Sequence, residues 1–282
     1  MTSRELGEQT VLHTFPVERE GAFVNAYLVE TEAGAVAVDG LLTVSDSRAM
    51  REALELLGKP LQAVLLTHSH PDHYAGLAQL VAGENVPIIA PQGVIDTIAR
   101  DDPVKDAVVG PMFGDEWPSA RVFPNTPIGD GESVTFDGVR FTVIDLGPSE
   151  SPHDSPWILG ADARIVFLGD QIYDHRHCYL ADGFHAEWLA NIARLRERFA
   201  DDATFYIGHG GPVGAEMWDW QQGYIETFVD AVGGADWTEP EQTKAAVVAR
   251  MKQYEPSDEL QFLMELSVEP VAEQLGLLQP TR

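Results

Sequence analysis

Four residues of types that bind metals lie within a stretch of six. The stretch is His68-Ser69-His70-Pro71-Asp72-His73, and the aliphatic residues 64–66 precede it. A short aliphatic run is typical of a buried strand, and side chains two apart in an extended segment point to the same side, so His68 and His70 can converge. Asp72 and His73 then open a helix. Imidazoles and carboxylates gathered at a strand end bind first-row metals, so the motif predicts a metal site rather than unrelated surface histidines.

The His-x-His-x-Asp-His pattern resembles the metallo-β-lactamase superfamily, and the resemblance extends over about residues 23–214. It implies a four-layer αββα sandwich, a dinuclear metal site and an activity that is usually hydrolytic. By this resemblance Asp170, at the end of a Leu-Gly-Asp run, would bridge two metals, and His209, at the end of an Ile-Gly-His run, would be the last ligand. Asp39, which follows the aliphatic residues 35–38, would support the site through hydrogen bonds, or else be a turn or cap residue.

The third ligand motif departs from the family pattern. The family usually has Pro-Gly-His after this strand, whereas residues 147–153 read Gly-Pro-Ser-Glu-Ser-Pro-His. Counting from Pro148, the ligand position falls on Glu150; His153 lies three residues further and would need a different loop path. We therefore predict Glu150 as the ligand. The alternatives are that His153 takes this position, or that Glu150 is an exposed loop residue that binds no metal. One metal would take His68, His70, Glu150 and the shared Asp170, and the other would take Asp72, His73, His209 and Asp170.

A glutamate in this position changes the expected chemistry. Three carboxylates against two divalent ions leave a net charge of about +1 instead of about +2, and a more anionic ligand set makes a bound water less acidic. Two histidines and one carboxylate on one face are also the ligands of non-haem iron enzymes, and some diiron oxygenases of the superfamily are similar in placing a glutamate here. We expect two divalent ions per chain, with zinc as the first expectation and iron or manganese as the alternative.

The functional prediction is a dinuclear metal-dependent hydrolase. A metal-bound hydroxide would attack the carbonyl of an ester, lactone, amide or thioester. The alternatives are a diiron oxidase or oxygenase with Glu150 as an iron ligand, and a non-catalytic metal-binding sensor. Asp72 could transfer protons as well as bind metal. Tyr173 or His177, in a polar cluster after Asp170, could polarise a carbonyl or pass a proton, although local hydrogen bonding within a loop is the simpler interpretation.

Composition restricts the partners. The 282 residues include 45 acidic and 18 basic ones, for a formal charge of −27. This balance argues against nucleic acids and anionic membranes, both of which need a basic surface, and leaves a small-molecule substrate. The single cysteine, Cys178, excludes an intrachain disulfide. Residues 1–10 lack the features of a signal peptide and no apolar run reaches membrane-spanning length, so a cytoplasmic protein is expected. Homodimerisation is left open.

The patterns predict an α/β fold, namely the αββα sandwich of the metallo-β-lactamase fold with a helical C-terminal extension. We assign residues 1–214 to the sandwich domain and residues 215–282 to helices packed on the same domain. A helix ending at Leu57 is expected to be capped by Ser45 or Ser47. Residues 101–127, rich in Pro, Gly and Asp, are expected to form a long irregular excursion that either walls a substrate pocket or acts as a structural cover.

Overall fold

Two β-sheets lie at the centre of the fold, which is known from a computed structural model describing residues 1–7 and 10–279. The first sheet contains, in spatial order, β1 Thr2–Gly7, β2 Thr10–Pro16, β3 Asn25–Glu30, β4 Ala35–Val38, β5 Leu61–Leu65, β6 Ile88–Pro91 and β7 Thr126–Ile128. The second contains, in spatial order, β12 Thr204–His209, β11 Ile165–Tyr173, β10 Trp157–Leu159, β9 Val139–Val143 and β8 Ser133–Phe136. Strands β4 to β7 are parallel to one another, and so are β11 and β12.

Helices cover the outer face of each sheet. They are α1 Val44–Leu57, α2 Pro71–Tyr74, α3 Leu77–Val81, α4 Gln92–Val108, α5 Gly110–Phe113, α6 His185–Arg198, α7 Met217–Gly233, α8 Pro240–Tyr254 and α9 Gln261–Gln274. Buried residues of α1, α3 and α4 pack with the first sheet, and those of α6 to α9 pack with the second. Among the described helices, none is both long and apolar enough to cross a membrane.

The four layers arise because successive side chains in a strand point to opposite faces. In β3, Leu28 belongs to the core under the first layer of helices, whereas its neighbour Val29 belongs to the core between the sheets. In β11, Phe167 faces the other sheet, and its neighbours Val166 and Leu168 face the helices. The unbroken apolar runs seen in the sequence are therefore strands buried on both sides, and the predicted αββα sandwich with C-terminal helices is confirmed.

The C-terminal helices share one core with the second sheet. Phe228 of α7 and Met264 of α9 lie in the same buried cluster as Phe205 of β12 and Leu195 of α6. Each of these side chains is fully buried. The domain boundary at residue 214 stays a prediction, but this shared core ties the helices after it to the sandwich.

Two local predictions are wrong. Residues 101–127 are not mainly irregular, because α4 continues to Val108 with Pro103 inside it and α5 follows. Proline removes one backbone donor, but its φ is compatible with a helix. Before it, the buried Asp102 accepts a hydrogen bond from Tyr74 Oη at 2.9 Å, which ties α4 to α2. The cap of α1 is Thr43, which accepts from the Asp46 N–H at 3.1 Å, and not a serine within the helix.

We predict that Phe228→Ala lowers the free energy of unfolding by about 3–5 kcal/mol, because it leaves a cavity in the shared core. Leu56→Ala is the control: Leu56 is 89% exposed, so a change within about 0.5 kcal/mol is expected. Urea denaturation followed by fluorescence and by circular dichroism measures both. A separate early transition of the helices in Phe228→Ala, with the rest as stable as in the parent protein, would contradict the shared core.

Candidate metal centre

The ends of three strands bring the candidate ligands together. The chain leaves β5 after Leu65 and passes through His68 and His70, the latter lying directly before α2. Asp170 lies in β11 and His209 ends β12, and these two strands are paired in parallel. Carboxyl ends of parallel strands meet at one edge of a sheet, so residues distant in sequence converge there.

The candidate ligands form two groups. Within each group, one side-chain N or O atom from every member lies within 4.8 Å of the corresponding atoms of the others. The members are His68, His70 and Glu150 in the first group, and Asp72, His73, Asp170 and His209 in the second. These are the two predicted ligand sets, and Asp170 connects them because its Oδ2 lies 3.9 Å from His68 Nε2 and 3.1 Å from His209 Nε2.

Four buried atoms of these groups lack a hydrogen-bond partner among the described residues. They are His68 Nε2 and Glu150 Oε2 of the first group, and His73 Nε2 and Asp170 Oδ1 of the second. Leaving such an atom unsatisfied costs about 1–3 kcal/mol. Lone pairs that converge without protein partners are what a metal ion would satisfy.

The spacing of the atoms also fits metal ions. Bonds of about 2.0–2.2 Å in a tetrahedral site place neighbouring ligand atoms about 3.3–3.6 Å apart. The N–O distances within the two groups run from 3.0 Å, between His70 Nδ1 and Glu150 Oε2, to 3.8 Å, between His68 Nε2 and Glu150 Oε2. The donor set of histidine nitrogens and carboxylate oxygens suits zinc and iron alike.

Without metal, neighbouring carboxylates keep protons on His70 and His209. Burial lowers the pKa of His70, but Glu150 and Asp182 outweigh burial and raise it to about 10. Burial likewise lowers the pKa of His209, and Asp170 and Asp72 raise it to about 9. Metals bind neutral imidazole, so metal binding at neutral pH would release these protons.

Glu150, and not His153, reaches the candidate ligands. The Glu150 side chain is fully buried, with Oε2 3.0 Å from His70 Nδ1 and 3.8 Å from His68 Nε2. His153 turns away: its Nε2 lies 2.6 Å from Asp145 Oδ1, and its ring packs on Gly93 at the start of α4. The geometry therefore favours the predicted choice between the two residues.

A buried network shapes the loop that carries Glu150. Asp154 Oδ2 accepts from the backbone N–H of Ser151 at 2.8 Å and from its hydroxyl at 2.9 Å. Gln171, the residue after Asp170, donates from Nε2 to Asp154 Oδ1 at 3.0 Å and accepts from Ser149 Oγ at 2.6 Å. Burial raises the pKa of Asp154. Gln171 thus ties the Glu150 loop to the strand that carries Asp170.

Asp39 supports His73 as predicted from the resemblance. Its Oδ2 accepts from His73 Nδ1 at 2.8 Å, which leaves His73 Nε2 directed at the candidate ligand group. Its Oδ1 accepts from the backbone N–H of Thr67 at 2.9 Å, and Thr67 Oγ1 donates to Oδ2 at 2.8 Å. Asp39 has a φ of 63°, in the left-handed region. Backbone strain of this kind persists where surrounding bonds enforce it.

The two predicted catalytic residues outside the ligand sets have different surroundings. Tyr173 Oη lies 2.9 Å from both Glu150 Oε1 and Asp170 Oδ2, and its ring stacks on His209. Burial and the neighbouring carboxylates raise the pKa of Tyr173, so the hydroxyl keeps its proton and can donate to one carboxylate at a time. His177 instead contacts Tyr224 Oη through its ring Nδ1 at 2.9 Å, and its backbone N–H donates to the Glu259 carbonyl.

Two glycines, Gly169 and Gly208, allow the segments around Asp170 to pack closely. A Cβ on Gly208 would lie 1.8 Å from Asp170 Oδ1, and one on Gly169, where φ is +58°, would lie 2.8 Å from Thr67 Oγ1. Any larger residue would push the Asp170 carboxylate or the strand away. These are the glycines of the Leu-Gly-Asp and Ile-Gly-His runs, so the packing explains why glycine precedes each ligand.

Sequence reasoning missed several residues around the ligands. Asp182 accepts a hydrogen bond from His70 Nε2 at 2.8 Å although the two residues are 112 positions apart. Lys105 of α4 donates to the carbonyl of Ser69 at 3.1 Å, inside the first motif. Neither residue has a local pattern that would identify it. Asp154 lies four residues after Glu150, and a buried polar run could have drawn attention to it.

A two-sheet αββα sandwich with two groups of candidate metal ligands defines the class of this protein. The family model of the metallo-beta-lactamase superfamily matches residues 19–210, more than half of the chain. The chain belongs to the metallo-β-lactamase superfamily.

The matches to individual relatives cover only part of each relative's length. A hydroxyacylglutathione hydrolase from Albidiferax ferrireducens is 28% identical over 62% of this chain and 58% of that protein. A linear primary-alkylsulfatase from Pseudomonas sp. is 30% identical over 66% of this chain and 41% of that protein. The chain therefore spans roughly two fifths to three fifths of the length of these curated relatives.

Solved structures share the fold over nearly the whole chain. A beta-lactamase domain protein from Burkholderia ambifaria matches 98% of this chain and 90% of its own with a TM-score of 0.70 at 19% identity. A metallo-beta-lactamase family protein from Thermus thermophilus matches 94% and 93% with a TM-score of 0.69, also at 19% identity. At this identity the likeness concerns the fold.

We predict that Glu150→Ala reduces metal content from two ions to one per chain, because the first group would keep only two histidines and the shared Asp170. His153→Ala is the control and should keep both ions, since His153 is paired with Asp145 outside the groups. Elemental mass spectrometry of both variants, purified after growth with added zinc and iron, makes the comparison. Loss of metal in His153→Ala and not in Glu150→Ala would reverse the assignment.

Proposed function

We propose that this chain is a dinuclear metal-dependent hydrolase that acts on a small molecule through an ester, lactone, amide or thioester carbonyl. The observation that carries the proposal is the set of four buried, unpartnered ligand atoms divided between two adjacent groups. Membership of the superfamily and the names of two relatives, a hydroxyacylglutathione hydrolase and an alkylsulfatase, support hydrolysis.

His68, His70 and Glu150 would hold one ion, and Asp72, His73 and His209 the other, with Asp170 between them. When bound, two divalent ions would acidify a water molecule and polarise a carbonyl oxygen. We expect zinc, with iron or manganese as the alternative.

Asp72 is the candidate ligand nearest to solvent. Its side chain is 17% exposed, more than that of any other member of the two groups. Its Oδ2 lies 3.2 Å from His209 Nε2, and contacts with His73 and His209 outweigh burial and lower its pKa. We assign to it a part in passing protons between the site and solvent, in addition to metal binding, because it is the most exposed of these groups.

Tyr173 has an orienting role in this proposal. Its hydroxyl is buried between Glu150 and Asp170 and keeps its proton, so it fixes the two carboxylates relative to each other. Stacking on His209 fixes the ring itself. His177 has no role in the proposed reaction, because its contacts are with Tyr224 and the chain near Glu259.

One observation favours a second candidate, a diiron oxidase or oxygenase. The first group contains two histidines and one carboxylate, which is the ligand set of many non-haem iron sites. Glu150 would supply the anionic ligand that stabilises oxidised iron. The two candidates differ in the metal required and in whether oxygen is consumed.

We predict that removing the metals with a chelator abolishes hydrolysis and that zinc restores it, because the protein groups alone leave the carbonyl unpolarised. The assay covers thioester, lactone, carboxylic ester and alkyl sulfate substrates, with the chelated protein and its zinc-, manganese- and iron-loaded forms compared under air and under nitrogen. Glu132→Ala, a change on the exposed turn before β8, is the control for handling losses.

Each outcome decides between the candidates. Hydrolysis restored by zinc and independent of oxygen supports the hydrolase. Activity that returns only with iron and consumes oxygen supports the second candidate. Hydrolysis of the same rate with and without metal would refute both, and two tightly bound ions with no activity on any substrate would favour the sensor interpretation.

A further inference from the structure

The hydrogen bond between Asp182 and His70 decides which nitrogen of His70 is free. His70 Nδ1 lies 3.0 Å from Glu150 Oε2 in the first ligand group, and Nε2 lies 2.8 Å from Asp182 Oδ2. A carboxylate only accepts hydrogen bonds, so Asp182 keeps a proton on Nε2, and Nδ1, which faces Glu150 in the ligand group, is the nitrogen that would bind a metal. His68 and His73 are the reverse, with Nδ1 hydrogen-bonded and Nε2 unpartnered.

Asp182 belongs to a loop that contacts His70 twice. The ring of Tyr179 packs edge-on against the His70 ring, with centroids 5.3 Å apart and an interplanar angle of 88°. Tyr179 Oη also lies 3.5 Å from Asp182 Oδ1. The imidazole is therefore held by a hydrogen bond at one nitrogen and by an aromatic ring packed perpendicular to its own.

The C-terminal helix α9 holds this loop. Ser267 Oγ accepts from the backbone N–H of Leu180 at 2.8 Å, and Gln274 Nε2 donates to the Ala181 carbonyl at 3.2 Å. Ser267 is fully buried. Next to Asp182, Gly183 has a φ of +89° and packs directly against the Gln274 side chain, where a Cβ would lie 2.2 Å from Nε2. The backbone on both sides of Asp182 is thus fixed by α9.

We propose that Asp182 is a positioning residue for His70 and that α9, through Ser267 and Gln274, holds Asp182 in place, so that the C-terminal helices are part of the support of the metal centre. The inference rests on the metal site of the proposed function. It gives these helices a specific task besides filling the core under the second sheet.

The test compares two histidine–carboxylate pairs of the same kind. His70–Asp182 and His13–Glu30 have N–O distances of 2.8 and 3.0 Å, and their carboxylate side chains are 23% and 22% exposed. His13 and Glu30 lie in β2 and β3, outside both ligand groups. Asp182→Ala and Glu30→Ala therefore remove equivalent pairs, only one of which touches a candidate ligand.

We predict that Asp182→Ala weakens the binding of one of the two metal ions about 10–100-fold, as loss of an outer hydrogen bond to a ligand does, whereas Glu30→Ala changes it less than about twofold. Chelator competition gives the affinities, and the visible spectrum of the cobalt-loaded protein reports the ligand geometry. The cobalt bands should shift in Asp182→Ala alone. Asp182→Asn, which keeps the shape and one acceptor, should lie between the parent and the alanine variant.

A double-mutant cycle tests the part played by α9. Ser267→Ala should weaken the same metal ion by a smaller factor and should have no further effect in the Asp182→Ala background, because it acts through Asp182. Equal effects of Ser267→Ala in both backgrounds would overturn the role of α9.

Failure of this inference is distinguishable from failure of the proposed function. Unchanged affinity and unchanged cobalt bands in Asp182→Ala, with two ions bound, would overturn the positioning role and leave the hydrolase proposal intact. A parent protein that binds both ions as expected but hydrolyses nothing would do the opposite.

Discussion

Burial of lone pairs without protein partners is the constraint on which the rest of the structure depends. Four nitrogen and oxygen atoms converge in two adjacent groups, inside a protein that otherwise pairs most of its buried polar atoms. The remaining polar atoms of the ligands are satisfied, for example His73 Nδ1 by Asp39 and His70 Nε2 by Asp182. In each of these two histidines, one ring nitrogen is fixed by a hydrogen bond and the other is directed at a candidate ligand group.

The strands and loops of the sandwich bring the candidate ligands together. Parallel strands carry Asp170 and His209 to the same edge, and the glycines before them allow the strands to approach closely. The loop with Glu150 is tied to β11 by Gln171, and the loop with Asp182 is tied to α9 by Ser267. Candidate ligands such as His70 and His73 are thus oriented by hydrogen bonds from other parts of the chain.

Much of this could be predicted from the sequence because the signals are local. The first motif combines a strand end, a helix start and four ligand types within six residues, and the apolar runs identify strands that are buried on both faces. The preference for Glu150 over His153 rests on the count from Pro148 and stays a prediction, and it is Glu150 that lies beside His68 and His70. Asp182 could not be found in this way, because its partner His70 is 112 positions away and the loop around it has no periodic pattern. The helical nature of residues 101–108 could not be predicted from a stretch rich in Pro, Gly and Asp, and the hydrogen bond from Tyr74 to Asp102 within it joins residues distant in sequence.

The dinuclear site is tested most directly by a crystal structure of the metal-loaded protein with anomalous scattering measured at the absorption edge of the metal. We predict two anomalous peaks per chain, one bounded by His68, His70 and Glu150 and the other by Asp72, His73 and His209, with Asp170 contacting both. A single peak would contradict the dinuclear site, and a first ion bound without Glu150 would contradict the assignment of Glu150 as a ligand.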